Sequence, residues 1–170
     1  GWANLCRLSS AIALQADPEK PCSLSLLASY ANNLIALGSA QGDNAGHRLQ
    51  LLKDIFGTRL YLTLEDPTIG LPLSSFARRL DIPMVVTHPV YYLKPDQARL
   101  QRTLAAIRLN KPIGKLTPEE AAPPDAHFIP QAEMKRRFSG FPPALKRTQE
   151  IAERCTFDLP LGVANMPKVS

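Results

Sequence analysis

The residues best suited to chemistry in this chain are two carboxylates, an imidazole and a pair of phenols. Glu65-Asp66 and His88 each stand where a short apolar run ends, and Tyr91-Tyr92 follow soon after His88. Carboxylate and imidazole together can hold a divalent cation or move a proton. An ordinary alternative covers the same residues: Asp66 opens the turn at Asp66-Pro67, and Glu65 is a solvated strand end. Tyr91 and Tyr92 could stack a base, as aromatics do in nucleic-acid clefts, but at a strand end packing is the expected role. A third polar stretch, residues 39–43, also follows an apolar run. Lys135, Arg136, Arg137, Lys146 and Arg147 are possible phosphate contacts that specify no partner. His47, in a helical pattern, and His127, in a proline-rich stretch, read as surface residues. No Gly-x-Gly-x-x-Gly, Walker loop, Gly-x-Ser-x-Gly elbow or His-Glu-x-x-His occurs.

The elements that must position these residues alternate. Residues 2–14 carry Leu5, Leu8 and Ile12 at helical spacing; residues 17–21 break that helix, and Ser23 caps a short one through Tyr30. Residues 34–37 form a short buried strand. A helix over 45–56 presents Leu49, Leu52 and Phe56, and Gly57 stops it. Residues 59–65 alternate, with Leu60, Leu62 and Leu64 on one face of a strand. Pro72 opens a helix with Leu73, Phe76, Ala77 and Leu80 on its stripe. Residues 83–87 are the third strand, and Pro95 starts a helix carrying Leu100, Leu104 and Ile107. Short connections between strand and helix argue for parallel βα units with right-handed crossovers. Sites in such folds gather at the carboxyl ends of the strands, where the residues above fall.

The fold class is therefore α/β: three parallel βα units over residues 1–110, an irregular proline-rich connection over 111–129, and C-terminal helices over 130–170. In that last part, Leu145, Thr148, Ala152 and Cys155 share a helix face, and residues 158–170 look like an exit toward another domain. Three strands do not close a barrel, so they form a small open sheet or the later part of a (β/α) barrel. Open strand edges would invite pairing with another copy.

The chain has 170 residues, 45% of them hydrophobic, which is enough for a core. No run is long enough to span a bilayer and no signal pattern opens the chain, so a cytoplasmic location and no membrane partner are expected. It begins at Gly1, as a trimmed piece would. Cys6, Cys22 and Cys155 are scattered, and buried reduced thiols are expected rather than a disulfide framework or a zinc knuckle. The net charge of +5 lies wholly in the second half: residues 1–90 balance seven basic against seven acidic residues, and residues 91–170 hold thirteen against eight. That bias suits a polyanion such as DNA, or a solvated basic surface.

Several stretches in series resemble one family. Gly1-Trp-Ala-Asn-Leu-Cys-Arg-Leu8, residues 34–37 before a Gly38-Ser39-Ala40 turn, residues 52–62 and residues 142–162 are similar, in that order, to the PHP (polymerase and histidinol phosphatase) domain. The version they resemble belongs to bacterial C-family polymerases, the DNA polymerase III alpha subunits and their error-prone relatives. The resemblance implies the later part of a distorted (β/α)7 PHP barrel, with residues 142–162 leaving toward the polymerase palm. It also implies what has changed. The family's strand exit of the type Thr-Asn-Asp-x-His-Tyr-Leu reads Thr87-His88-Pro89-Val90-Tyr91-Tyr92-Leu93 here. Four metal-ligand positions fall at or near Ala40, Pro67, Pro89 and Tyr91, and the family's His-x-His motif falls upstream of Gly1.

The resemblance thus implies a scaffold in DNA replication that binds no cofactor and does not hydrolyse DNA. Its expected partners are the remainder of the polymerase chain, DNA through that chain, and other replisome subunits. The polymerising carboxylates fall downstream of Ser170. An alternative is a zinc- or manganese-dependent phosphoesterase or 3′–5′ exonuclease using Glu65, Asp66 and His88, with ligands from upstream. Another is a basic module that binds DNA or protein.

Overall fold

The computed structural model describes residues 1–15, 21–159 and 162. The expected break over 17–21 and the exit over 158–170 lie largely outside them. The chain divides into two compact units, Ile35–Thr148 and a second made of Gly1–Leu34 with Gln149–Ser170.

The larger unit is built on parallel strands. β1 (Ala36–Gly38), β2 (Leu60–Leu64) and β3 (Met84–Val86) form a sheet in the order β1-β2-β3. Its registers pair Ala36 with Leu60 and Leu62 with Met84. The crossovers are α3 (Ala45–Phe56) and α4 (Gly70–Leu80), and α5 (Ala98–Arg108) follows β3. Leu49 and Phe56 of α3 and Leu73 and Ala77 of α4 are buried together with Leu60, Leu62, Leu64, Val85 and Val86. Burial of each large side chain contributes about 1.5–3 kcal/mol. Gly57 stops α3 in a left-handed conformation, φ 54°, which a glycine adopts without strain.

Both faces of β2 are covered: Tyr61, between the leucines, is buried too, as in a central parallel strand. Three expectations about the other elements need correction. β1 starts two residues later than expected, and its Leu37 is 51% exposed, as befits an edge strand with no further strand paired to it among the described residues. α4 starts at Gly70, with Pro72 inside its first turn, where a backbone N–H has no intrahelical partner and proline's lack of one costs nothing. Most consequentially, Leu100, Leu104 and Ile107 of α5 face outward; its buried side is Ala105 and Ala106, packed with Leu116 against Leu109 and Ala121.

The proline-rich stretch is folded rather than merely extended. Two turns of 3-10 helix, Ile113–Lys115 and Pro118–Glu120, carry it back along α5. Glu120 accepts from the Thr117 N–H at 3.0 Å and ion-pairs with Lys111. α6 (Gln131–Arg137) and α7 (Pro142–Arg154) complete the chain of helices. The outer edge of β3 is closed by side chains of α7. Pro83 O and Thr87 N bond to β2, so Met84 and Val86 direct their carbonyls away from it. Arg147 Nη1 donates to Met84 O at 3.2 Å and Thr148 Oγ1 donates to Val86 O at 3.0 Å.

In the smaller unit, α1 (Trp2–Ala13) buries Leu8, and Ser23 caps α2 (Leu24–Tyr30) by accepting the Leu26 N–H at 3.2 Å. Trp2 stacks on Phe157 with ring centroids 5.5 Å apart. Cys6 and Cys155 are exposed and Cys22 is half-buried, contrary to the expectation of buried thiols. Cys6 lies two residues from Leu8, about 200° around the helix, so burying one exposes the other. Thr148 and Ala152 are exposed like Cys155, so of the face expected for α7 only Leu145 is half-buried, and it is Ala144 that is buried.

Candidate functional site at the strand exits

Parallel strands send their carboxyl ends to one edge of the sheet, and that edge gathers Ser39-Ala40, Glu65-Asp66-Pro67 and Thr87 to Tyr92. Asp66 is committed to structure. It accepts from Thr68 Oγ1 at 2.7 Å and from Thr68 N at 2.8 Å, capping the 3-10 turn Pro67–Ile69. These bonds, the side-chain one foremost, hold its carboxyl below the usual carboxylate range. Glu65 is solvent-exposed. His88 is half-buried, its Nε2 3.0 Å from His127 O.

The third exit is the most structured. Residues 91–92 pair with residues 126–128: Ala126 O accepts the Tyr91 N–H at 2.9 Å, and Tyr92 O accepts the Phe128 N–H at 3.0 Å. Tyr92 is buried, and its hydroxyl lies 2.9 Å from Pro123 O and 2.6 Å from Pro124 O. Its ring stacks near that of His127, and His127 meets His88 edge-on, with centroids 6.5 Å apart in both pairs. His127 is therefore no surface residue: its Nδ1 is buried without a hydrogen-bond partner among the described residues, as is Thr87 Oγ1. Sequence alone missed this, because only the fold-back of the 123–128 segment brings the ring to β3. The two tyrosines divide their expected roles: Tyr92 packs, while Tyr91 is 63% exposed. His47 is exposed, as expected.

Ala40, Pro67, Pro89 and Tyr91 all follow the carboxyl ends of the three strands. Alanine and proline offer a cation no side-chain donor, and tyrosine is not an ordinary ligand for zinc or manganese. Among the described residues, no three His, Cys, Asp or Glu side chains come close enough to share a metal ion. A cluster needs several ligands at about 2.0–2.3 Å, so the residues present do not fit one.

The basic residues are partly spent within the fold. Glu133 accepts from Arg136 Nη2 at 2.7 Å and Arg137 Nε at 3.0 Å, and Arg137 also approaches Asp125. The Arg136 and Arg137 hydrogen bonds push the Glu133 carboxyl down to about 2, and Glu133 raises Arg136 in turn. Arg147 is turned to the β3 edge. Lys135 and Lys146 are exposed.

No family model matches the chain. Individual relatives do. It is 32% identical to error-prone DNA polymerase 1 of Agrobacterium fabrum over 177 residues, an alignment covering 98% of the chain and 16% of that protein. It is 28% identical to the DNA polymerase III alpha subunit of Halalkalibacterium halodurans over 183 residues, covering 99% and 16%. The Thermus aquaticus alpha subunit is 30% identical over 190 residues, covering 95% and 15%. The chain is related to a region of the C-family DNA polymerases. It spans about a sixth of the length of these polymerase relatives. No helix among the described residues is long and apolar enough to cross a membrane.

Proposed function

We propose that this chain is a metal-free PHP-type region of a bacterial polymerase, acting as a non-catalytic scaffold in DNA replication. The observation that carries the reading is the chemistry at the strand exits. The four positions that match metal ligands by resemblance hold Ala40, Pro67, Pro89 and Tyr91, and the neighbouring Asp66 and His88 are occupied by Thr68 and His127. One histidine does not replace four ligands with an organised surrounding shell. The parent protein would be a DNA-directed DNA polymerase, a cytoplasmic nucleotidyltransferase. This region would brace the rest of that chain, with residues 1–110 as barrel, 111–129 as connection and 130–170 leading toward the palm.

Elemental analysis tests the reading, on this chain and on a version extended upstream to include the front of the domain. Well under one equivalent of zinc or manganese, with no release of nucleotide from a DNA 3′ end, is the expected result. Two or three equivalents, lost in His88→Ala, would transfer the function to a phosphoesterase using Glu65, Asp66 and His88.

A further inference from the structure

On α5, Leu100, Leu104 and Ile107 recur at spacings of four and three, which puts them on one helix face. They are 57%, 57% and 70% exposed, and Leu93, just before the helix, is 70% exposed. Scattered surface leucines need no explanation, but a contiguous stripe along two helical turns marks a contact surface. Beside the stripe runs a groove of about 250 Å³, lined by Tyr91, Tyr92, Leu93, Leu100 and Leu104 with Gln97 and Gln101. The oxygens of both amides are already engaged. Gln97 Oε1 accepts the N–H groups of Leu93 and Lys94 at 3.0 Å, and Gln101 Oε1 accepts that of Ala122 at 3.2 Å. The groove's lining is thus held in place and mostly apolar, which lowers the ordering cost of docking.

Charge indicates what docks. Residues 90–111 contain Lys94, Arg99, Arg102, Arg108 and Lys111 against Asp96 alone. Arg102 is turned onto the carbonyls of Ile113 and Leu116, and Lys111 pairs with Glu120. Lys94, Arg99 and Arg108 are exposed and form no ion pair among the described residues. A second copy packed stripe to stripe would bring like charges together. We propose that the α5 groove receives an amphipathic helix of another protein, its apolar face flanked by Asp and Glu. Such a helix inserts anchors at helical spacing while its acids meet Lys94, Arg99 and Arg108. The proposal concerns α5 and holds whether or not the strand exits bind metal.

Two labelled peptides of about five helical turns, with identical leucine faces, provide the probe; one is flanked by Glu and the other by Lys. Fluorescence anisotropy against the full chain should show saturable, micromolar binding of the Glu-flanked peptide and binding at least about tenfold weaker for the other. Leu104→Asp should weaken the first by about tenfold or more, and Arg99→Glu should shift preference toward the Lys-flanked peptide. Leu104→Gln serves as the milder variant, and circular dichroism checks that each variant folds. Equal binding of both peptides, no saturation, or indifference to Leu104 substitution overturns the proposal. So does a dimer in sedimentation that Leu104→Asp abolishes, which would assign the stripe to a second copy.

Discussion

At the scale of single residues, the same atom type behaves according to what surrounds it. Glu133 is the clearest case, because two guanidinium groups favour its ionised form. Its folded-state pKa of about 2 lies below the ordinary 4.5, so its contribution to stability is present above about pH 4.5 and is lost as pH falls toward 2. Glu133→Gln should therefore lower the melting temperature slightly at neutral pH, by a margin kept small because the Arg136 guanidinium is solvent-exposed, and the two proteins should converge on acidification. Thermal melts of both proteins from about pH 5 down to about pH 2.5 would show it. Tyr92 makes a different prediction. Its one hydroxyl proton is shared between the carbonyls of Pro123 and Pro124, so Tyr92→Phe should cost about 1 kcal/mol in urea unfolding. Glycines separate by what a side chain would meet. The Phe141 ring fills the space beside Gly70, and Gly70→Ala should destabilise by about 1–3 kcal/mol. Gly140→Ala meets open space and should fall within about 0.5 kcal/mol of the parent.

At the scale of elements, how much the sequence reveals depends on how local the cause is. α3, β2, α4 and β3 lie close to their expected spans, because apolar spacing and the glycine after Phe56 are local signals. The stripe on α5 was equally visible, yet its direction was not. Periodicity reports that one face is apolar, whereas Ala105 and Ala106 win the interior because small side chains let the helix sit close against Leu116. Pairing of 91–92 with 126–128 joins segments more than thirty residues apart, and no short-range pattern announces it. That is why the sequence reads His127 as a surface residue, whereas the Asx-type cap of Asp66 is written in the Asp66-Pro67-Thr68 sequence. The contact between α7 and β3 belongs here too. Thr148→Val keeps the shape but removes the donor to Val86 O, and should lower stability by about 1 kcal/mol in urea titration.

At the scale of the whole molecule, relatedness to C-family polymerases and the chemistry of the strand exits are separate lines of reasoning. The first rests on about 30% identity along nearly all of the chain, and the second on Ala40, Pro67, Pro89 and Tyr91. Replacing Pro89 with Asp and Tyr91 with His together should therefore raise zinc binding little, since His88, the histidine beside them, already meets the His127 carbonyl at 3.0 Å; equilibrium dialysis would measure it. The sheet itself is one-sided. α7 occupies the outward carbonyls of β3, and β1 keeps its outer edge without a strand partner among the described residues. A ladder that can lengthen at both ends propagates, but one blocked at an end stops after a single joining event. Pairing through the β1 edge would therefore join two molecules and stop there, because the side chains of Arg147 and Thr148 occupy the outward carbonyls of β3.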